Sequence, residues 1–84
     1  MVNIKLKKAE ELLLEASKDK GIPRNVKNSI EECIKILHES KESEKVKLST
    51  IISILDEISG DPNIPLYGRT KIWNLVSKLE EINI

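Results

Sequence analysis

The chain has 84 residues, enough for one domain with a modest core, since a chain of this size buries roughly 60–65% of its unfolded surface. Lys plus Arg and Asp plus Glu number 14 each, so the formal net charge is zero, which argues against a dedicated nucleic-acid or membrane-surface module with its usual basic excess. The single cysteine, Cys33, excludes an internal disulfide; with no signal peptide, lipidation motif or long apolar run, a reducing cytoplasm is expected.

Four stretches of three-four apolar spacing, separated by three breaks, predict an all-α chain. The first helix is predicted from Ile4 to Ser17, with Leu6, Ala9, Leu12, Leu13 and Ala16 as its inner stripe. Gly21 and Pro23 end it, because proline has no amide hydrogen to continue the ladder. The second helix begins near Pro23, and its stripe is Val26, Ile30, Cys33, Ile34 and Leu37. The polar run Glu39-Ser40-Lys41-Glu42-Ser43 holds the middle connection, with Ser40 or Ser43 able to accept from the next helix's first amides. The third helix is predicted from about Glu44 to Ser59, with Leu48, Ile51, Ile52, Leu55 and Ile58 inside. Gly60 stands just past its end, where left-handed backbone is common, and Asp61-Pro62-Asn63 forms a tight turn. Pro65 opens the fourth helix, which carries Ile72, Leu75, Val76, Leu79 and Ile82. No stretch shows the alternation of a strand. Helices of about 15 residues are about 22 Å long and marginal alone, and short connections make neighbours antiparallel. The expected fold is a four-helix bundle built of two helical hairpins in one domain, residues 1–84.

The chain also resembles itself at an offset of half its length. Sliding it by 42 positions lays Ile22-Pro23 on Ile64-Pro65, Leu6 on Leu48, Leu13 on Leu55, Asp19 on Asp61, Ile30 on Ile72 and Leu37 on Leu79. Lys27 falls on Arg69, keeping the charge. The expectation is an internal repeat, with halves 1–42 and 43–84 each forming a hairpin and sharing one core. Ile22 and Ile64 should then tuck under the hairpin ends. Asp61 is expected to cap the fourth helix and to pair with Arg69. The polar groups Asp56, Asp61, Arg69 and Asn74 are the candidate cluster at that end, serving as a hairpin clamp or as a small polar site.

Charge is spread unevenly. Residues 1–28 carry seven basic and four acidic side chains, and residues 29–57 carry four basic and seven acidic. Lys18, Lys20, Arg24 and Lys27 around the first loop form the candidate anion patch. Leu14, Ile36, Ile54, Leu66 and Trp73 lie off the main stripes. They belong either to a wide core or to an exposed patch, and in the second case Leu66, Trp73 and Ile54 are the candidate interface of a homodimer.

No catalytic, cofactor or metal constellation is visible. His38 is the only histidine, so a His-based metal site or a Ser-His-Asp relay lacks ligands here; a charge interaction near its helix end is expected. Cys33 on the apolar stripe reads as a small buried hydrophobe, and three glycines make no phosphate loop.

The stretch Ile51-Ile52-Ser53-Ile54-Leu55-Asp56-Glu57-Ile58-Ser59, then Asp61-Pro62-Asn63, Pro65, Arg69-Thr70, Ile72-Trp73-Asn74, Val76-Ser77 and Leu79-Glu80, resembles the uncharacterised archaeal protein family UPF0147. The resemblance is strongest over roughly residues 48–82 and weaker around Pro23-Arg24. It implies a short, soluble, all-helical archaeal protein that folds as a four-helix bundle inside the cell. It implies no activity, ligand or catalytic residue at any position. From the residues themselves, the expected role is a non-enzymatic interaction or structural module that self-associates, as a homodimer, or docks to a protein partner. The alternative is an accessory module touching nucleic acid through the basic first loop. No membrane contact and no small-molecule ligand is expected.

Overall fold

Apolar spacing sets where the helices form. The structure, a computed structural model, describes residues 4–82; residues 1–3 and 83–84 of the expected domain lie outside the described residues. Within that range the chain forms four helices: α1 (Ile4–Ser17), α2 (Arg24–Glu39), α3 (Glu44–Ser59) and α4 (Leu66–Glu80). Pro23 and Pro65 each sit one residue before a helix, with extended ψ values of 154° and 150°. Their carbonyls accept the first helical bonds, from Lys27 N at 3.0 Å and from Arg69 N at 3.0 Å. Ser43 caps α3 as expected, its Oγ accepting from Val46 N at 3.3 Å. Gly60 departs from expectation. Its φ of −86° and ψ of −4° continue the right-handed turn, and its amide bonds back to the Glu57 carbonyl at 3.2 Å, so no left-handed residue is needed to end α3.

Each stripe faces one interior. Leu6, Ala9 and Leu13 of α1, Val26, Ile30, Cys33 and Leu37 of α2, Leu48, Ile51 and Leu55 of α3, and Ile72, Leu75, Val76 and Leu79 of α4 are all buried. Ile22 and Ile64, from the loops, are buried with them. Of the positions aligned at the 42-residue offset, Leu6 and Leu48, Leu13 and Leu55, Ile22 and Ile64, Ile30 and Ile72, and Leu37 and Leu79 are buried, whereas the aligned aspartates, prolines and basic residues are not. Both loops also turn alike: Ile22 N donates to the Asp19 carbonyl at 3.3 Å and Ile64 N to the Asp61 carbonyl at 3.2 Å, which aims each isoleucine inward.

The packing is that of a four-helix bundle. α1 lies most extensively on α2, and α3 on α4; α2 also packs on α3. The pairing of α1 with α4 is slighter, and α1 meets α3 across the diagonal. Three of the four neighbouring pairs are joined by a short connection, and the α1–α4 seam is not. Both hairpin loops, 18–23 and 60–65, therefore end up at the same end of the bundle, and the middle connection 40–43 at the other.

Leu55→Ala, which empties a fully buried site, is expected to cost about 2–5 kcal/mol. Ser43→Ala, which removes only the cap, is expected to cost about 0.5–2 kcal/mol. Urea unfolding followed by circular dichroism measures both.

Candidate functional site

At the hairpin-loop end, polar side chains join the two hairpins. The contacts start from Asp19, in the loop after α1. Its Oδ1 accepts from Gly21 N at 2.8 Å, the local turn in which an Asp side chain captures an amide two residues on. The same carboxylate receives the Tyr67 hydroxyl of α4, at 3.3 Å and 3.2 Å to its two oxygens. Lys71 Nζ, one turn further along α4, stands 3.7 Å from Oδ2 and lies over the Tyr67 ring, 5.4 Å from its centroid. The Gly21 amide holds the Asp19 carboxyl below its ordinary value of 3.8, against the opposing cost of burial, with the Tyr67 hydroxyl and Lys71 adding to the lowering.

Glycine at position 21 is required here by space. A Cβ on Gly21 would stand 2.1 Å from Tyr67 Cε1, so the ring can lie over this loop only where no side chain exists. Gly68 gives similar room. A Cβ there would come within 3.2 Å of Ile64 Cγ2 and 3.3 Å of Pro23 Cδ, which marks how closely the start of α2 approaches the first turn of α4.

The second loop has the same local turn but different long-range partners. Asp61 Oδ1 accepts from Asn63 N at 2.9 Å. Asp61 provides no side-chain cap for α4 and does not take Arg69, contrary to the sequence expectation. Arg69 Nε instead donates to the Ser59 carbonyl at 3.2 Å, and its guanidinium lies over Trp73, 5.5 Å from the ring centroid. Arg69 thus clamps its hairpin through the end of α3. The reason is geometric: residue 69 begins the second turn of α4, alongside the α3 C-terminus, whose last carbonyls lack helical partners. Ser59 itself is buried and closes its own bond, Oγ donating to the Asp56 carbonyl at 2.7 Å.

The four members of the expected polar cluster are not gathered into one site. Asp56 contributes its backbone carbonyl, Asp61 serves its own turn, and Arg69 faces Ser59 and Trp73. Asn74 lies on another side of α4, in the α1–α4 hollow. That hollow, about 140 Å³, is lined by Leu12, Ala16 and Leu75 with Glu15, Asp19, Lys71 and Lys78 among its polar groups. Of the anion-patch residues, Lys18, Lys20 and Arg24 are exposed. Arg24 and Lys27 share a hollow with Glu31. Of the interface candidates, Leu66 is 69% exposed and Trp73 45%, whereas Ile54 is half-buried against the core.

His38 finds its partner on a neighbouring helix and not at its own helix end, whereas Cys33 is buried as its position suggested. His38 Nε2 faces the Glu10 carboxylate and ties α2 to α1. Cys33 is buried, and burial, with a smaller contribution from Glu32, pushes its thiol up to about 12, so it is inert where it stands. Among the described residues no group of His, Cys, Asp or Glu side chains could hold a metal ion. None of the helices is long and apolar enough to cross a membrane.

Tyr67, Lys71 and Gly21 escaped the sequence reasoning as a group. The available signal was a break in the self-resemblance: Asn63 stands where the first loop has Gly21, and Asn25 stands where α4 has Tyr67.

Taken together, these features define a small antiparallel helical bundle whose hairpin ends are fastened by a polar clasp, with its aromatic residues on the outside of one helix. The chain belongs to the uncharacterised protein family UPF0147, whose family model matches residues 2–82. A UPF0147 protein of the archaeon Methanothermobacter thermautotrophicus is 44% identical over 82 residues, covering 98% of this chain and 80% of the relative. The UPF0147 protein Ta0600 of Thermoplasma acidophilum is 38% identical over 72 residues, 86% of this chain and 82% of the relative. Two crystal structures share the fold. The unknown function protein MMP1188 gives a TM-score of 0.76 at 39% identity, over 95% of this chain and 91% of the other. A UPF0147 protein from Thermoplasma acidophilum gives 0.79 at 34% identity, over 94% and 93%.

Two tests address the clasp. Gly21→Ala is expected to cost about 1 kcal/mol by displacing the Tyr67 ring. In a Tyr67→Ala background the same change should be neutral or stabilising by about 0.4–1 kcal/mol, because alanine restricts the unfolded chain and Gly21 has no positive φ to lose; a double-mutant cycle by thermal melts reads the coupling. Asp19 titrates lower folded than unfolded, so its contribution to stability is present above pH 3.8 and fades as pH falls through the lower folded value. Asp19→Asn should flatten that part of the stability–pH curve measured between pH 2 and 5.

Proposed function

We propose that this protein is a non-enzymatic interaction module that self-associates through the outward face of α4. The observation that carries the reading is the exposure of Leu66 and Trp73 on one helix, seven residues and two turns apart, with Arg69 between them and lying over the indole. Large apolar side chains left out of a core that is otherwise filled by aliphatic residues are more informative than scattered exposed ones. Trp and Arg supply most interface binding energy because they bury large area and retain a directional group. Zero net charge removes the long-range repulsion that would oppose two like copies meeting. The partner is a second copy docked α4 to α4, in a cytoplasm that keeps Cys33 reduced.

The second reading, contact with nucleic acid through Lys18, Lys20 and Arg24, is favoured by their exposure around the start of α2 and opposed by the zero net charge of the chain and by an acidic residue, Glu31, in the hollow that Arg24 lines. Retention on RNA or DNA that falls steeply with salt would favour it.

Sedimentation across micromolar to millimolar concentrations should show a reversible dimer. Leu66→Ser with Trp73→Ala should weaken it by at least about tenfold, in line with the loss of a hot-spot residue, while leaving the thermal melt within about 0.5 kcal/mol of the parent. A protein that stays monomeric at millimolar concentration removes the reading.

A further inference from the structure

We propose that two copies of this chain can also exchange hairpins, parting along the α1–α4 seam and straightening at the 40–43 connection, so that α1–α2 of one copy packs on α3–α4 of the other. This route is separate from the α4 face. The surface involved is the one each hairpin already presents to its mate inside the molecule, so its fit to a second copy is given by the fold.

The distribution of helix breakers selects the hinge. All three glycines and all three prolines fall at Gly21, Pro23, Gly60, Pro62, Pro65 and Gly68, in or beside the two hairpin loops. None lies between Arg24 and Ser59, so nothing in α2, the 40–43 connection or α3 forbids one continuous helix. The connection is Ser40-Lys41-Glu42-Ser43, short enough that its bend depends on side-chain bonds. Those bonds are Glu42 N to Ser40 Oγ at 3.1 Å, Val46 N to Ser43 Oγ at 3.3 Å and Lys47 Nζ to the Leu37 carbonyl at 3.2 Å. A straight helix replaces the first two with backbone bonds. It separates Lys47 from Leu37 of the same chain by ten residues, about 15 Å of rise, so within one chain the third exists only in the closed form.

The seam selects where the hairpins part. α1 and α4 are neighbours without a connecting loop, their packing is slighter than that within either hairpin, and a hollow lies between them. Their fastening at the loop end, Asp19 with Tyr67 and Lys71, is made by exposed bonds of 3.2–3.7 Å that can open and reform in water. Every contact between the hairpins, α2 on α3, α1 on α4 and α1 on α3, can be remade with a second copy, the bond from Lys47 of α3 to Leu37 of α2 among them; the closed bend cannot. Exchange of an identical element is a low-cost route to a dimer under those conditions.

Lys8 and Glu81 line one hollow at the open end of the seam, which gives the test. Lys8→Cys with Glu81→Cys is made in a Cys33→Ala background, which keeps a small apolar group in the core. The dimer isolated after incubation at millimolar concentration is bridged with a short bis-maleimide and denatured. Exchanged hairpins place the bridge between chains, and the denatured product runs as a covalent dimer. A product that runs as a bridged monomer overturns the exchange and leaves the α4 face as the dimer interface. Absence of any dimer overturns both. Adding Leu66→Ser and Trp73→Ala should leave the exchanged dimer intact. In the otherwise native chain, Ser40→Ala with Ser43→Ala, which removes the two side-chain bonds of the bend, should raise the association constant for the dimer in native mass spectrometry by at least about tenfold, since both closed copies lose them; an unchanged constant counts against the hinge.

Discussion

The α1–α4 seam is the constraint on which the bundle turns. Peptide joins the other neighbouring helices, but α1 and α4 must be held by contacts alone. At the loop end this is done by bringing the two loops together: Ile22 and Ile64 fill the interior, Pro23 meets the first turn of α4, and Tyr67 lies across Gly21 to reach Asp19. Two positions without a Cβ, Gly21 and Gly68, make that approach sterically possible. The polar bonds of the clasp are exposed and individually modest; their role is to set how the hairpins are oriented over a core that supplies the stability.

That core is aliphatic throughout, with no phenylalanine in the chain. Leu, Ile and Val stripes fill the interior, and the two aromatic residues stand outside it, both on α4 and both with a cation over the ring, Lys71 on Tyr67 and Arg69 on Trp73. The two pairs are used differently. The Tyr67 pair is spent inside the molecule, on Asp19. The Trp73 pair faces outward, beside Leu66, and has that pairing chemistry to offer to another molecule. This asymmetry within a single helix is what gives the proposed self-association a definite address.

Much of the architecture was legible in the residues. α1 and α3 have the expected bounds, Ser43 caps where its position indicated, both loop isoleucines turn inward, and Cys33 is a buried thiol. These are local or one-dimensional properties: a period, a missing amide hydrogen, an oxygen three residues before a bare N–H. The polar cluster was not legible. Asp61 and Arg69 are close in sequence and opposite in charge, yet Arg69 serves the Ser59 carbonyl because α3 ends beside it. Ile54 lies off the main stripe of α3, yet α3 is flanked by two helices and meets a third across the diagonal, and that widens its buried arc.

The amino-acid order by itself therefore determined four amphipathic helices, their antiparallel sequence and the residues of the shared interior, because helix period and breaker positions are encoded along the chain. Tertiary structure alone decided which of two similar loops became the clasp. Asp19 and Asp61 make the same turn with the amide two residues on, but only Asp19 is met by a tyrosine 48 residues away. Partnership across that separation is set by how two hairpins settle against each other, and no spacing within either hairpin carries that information.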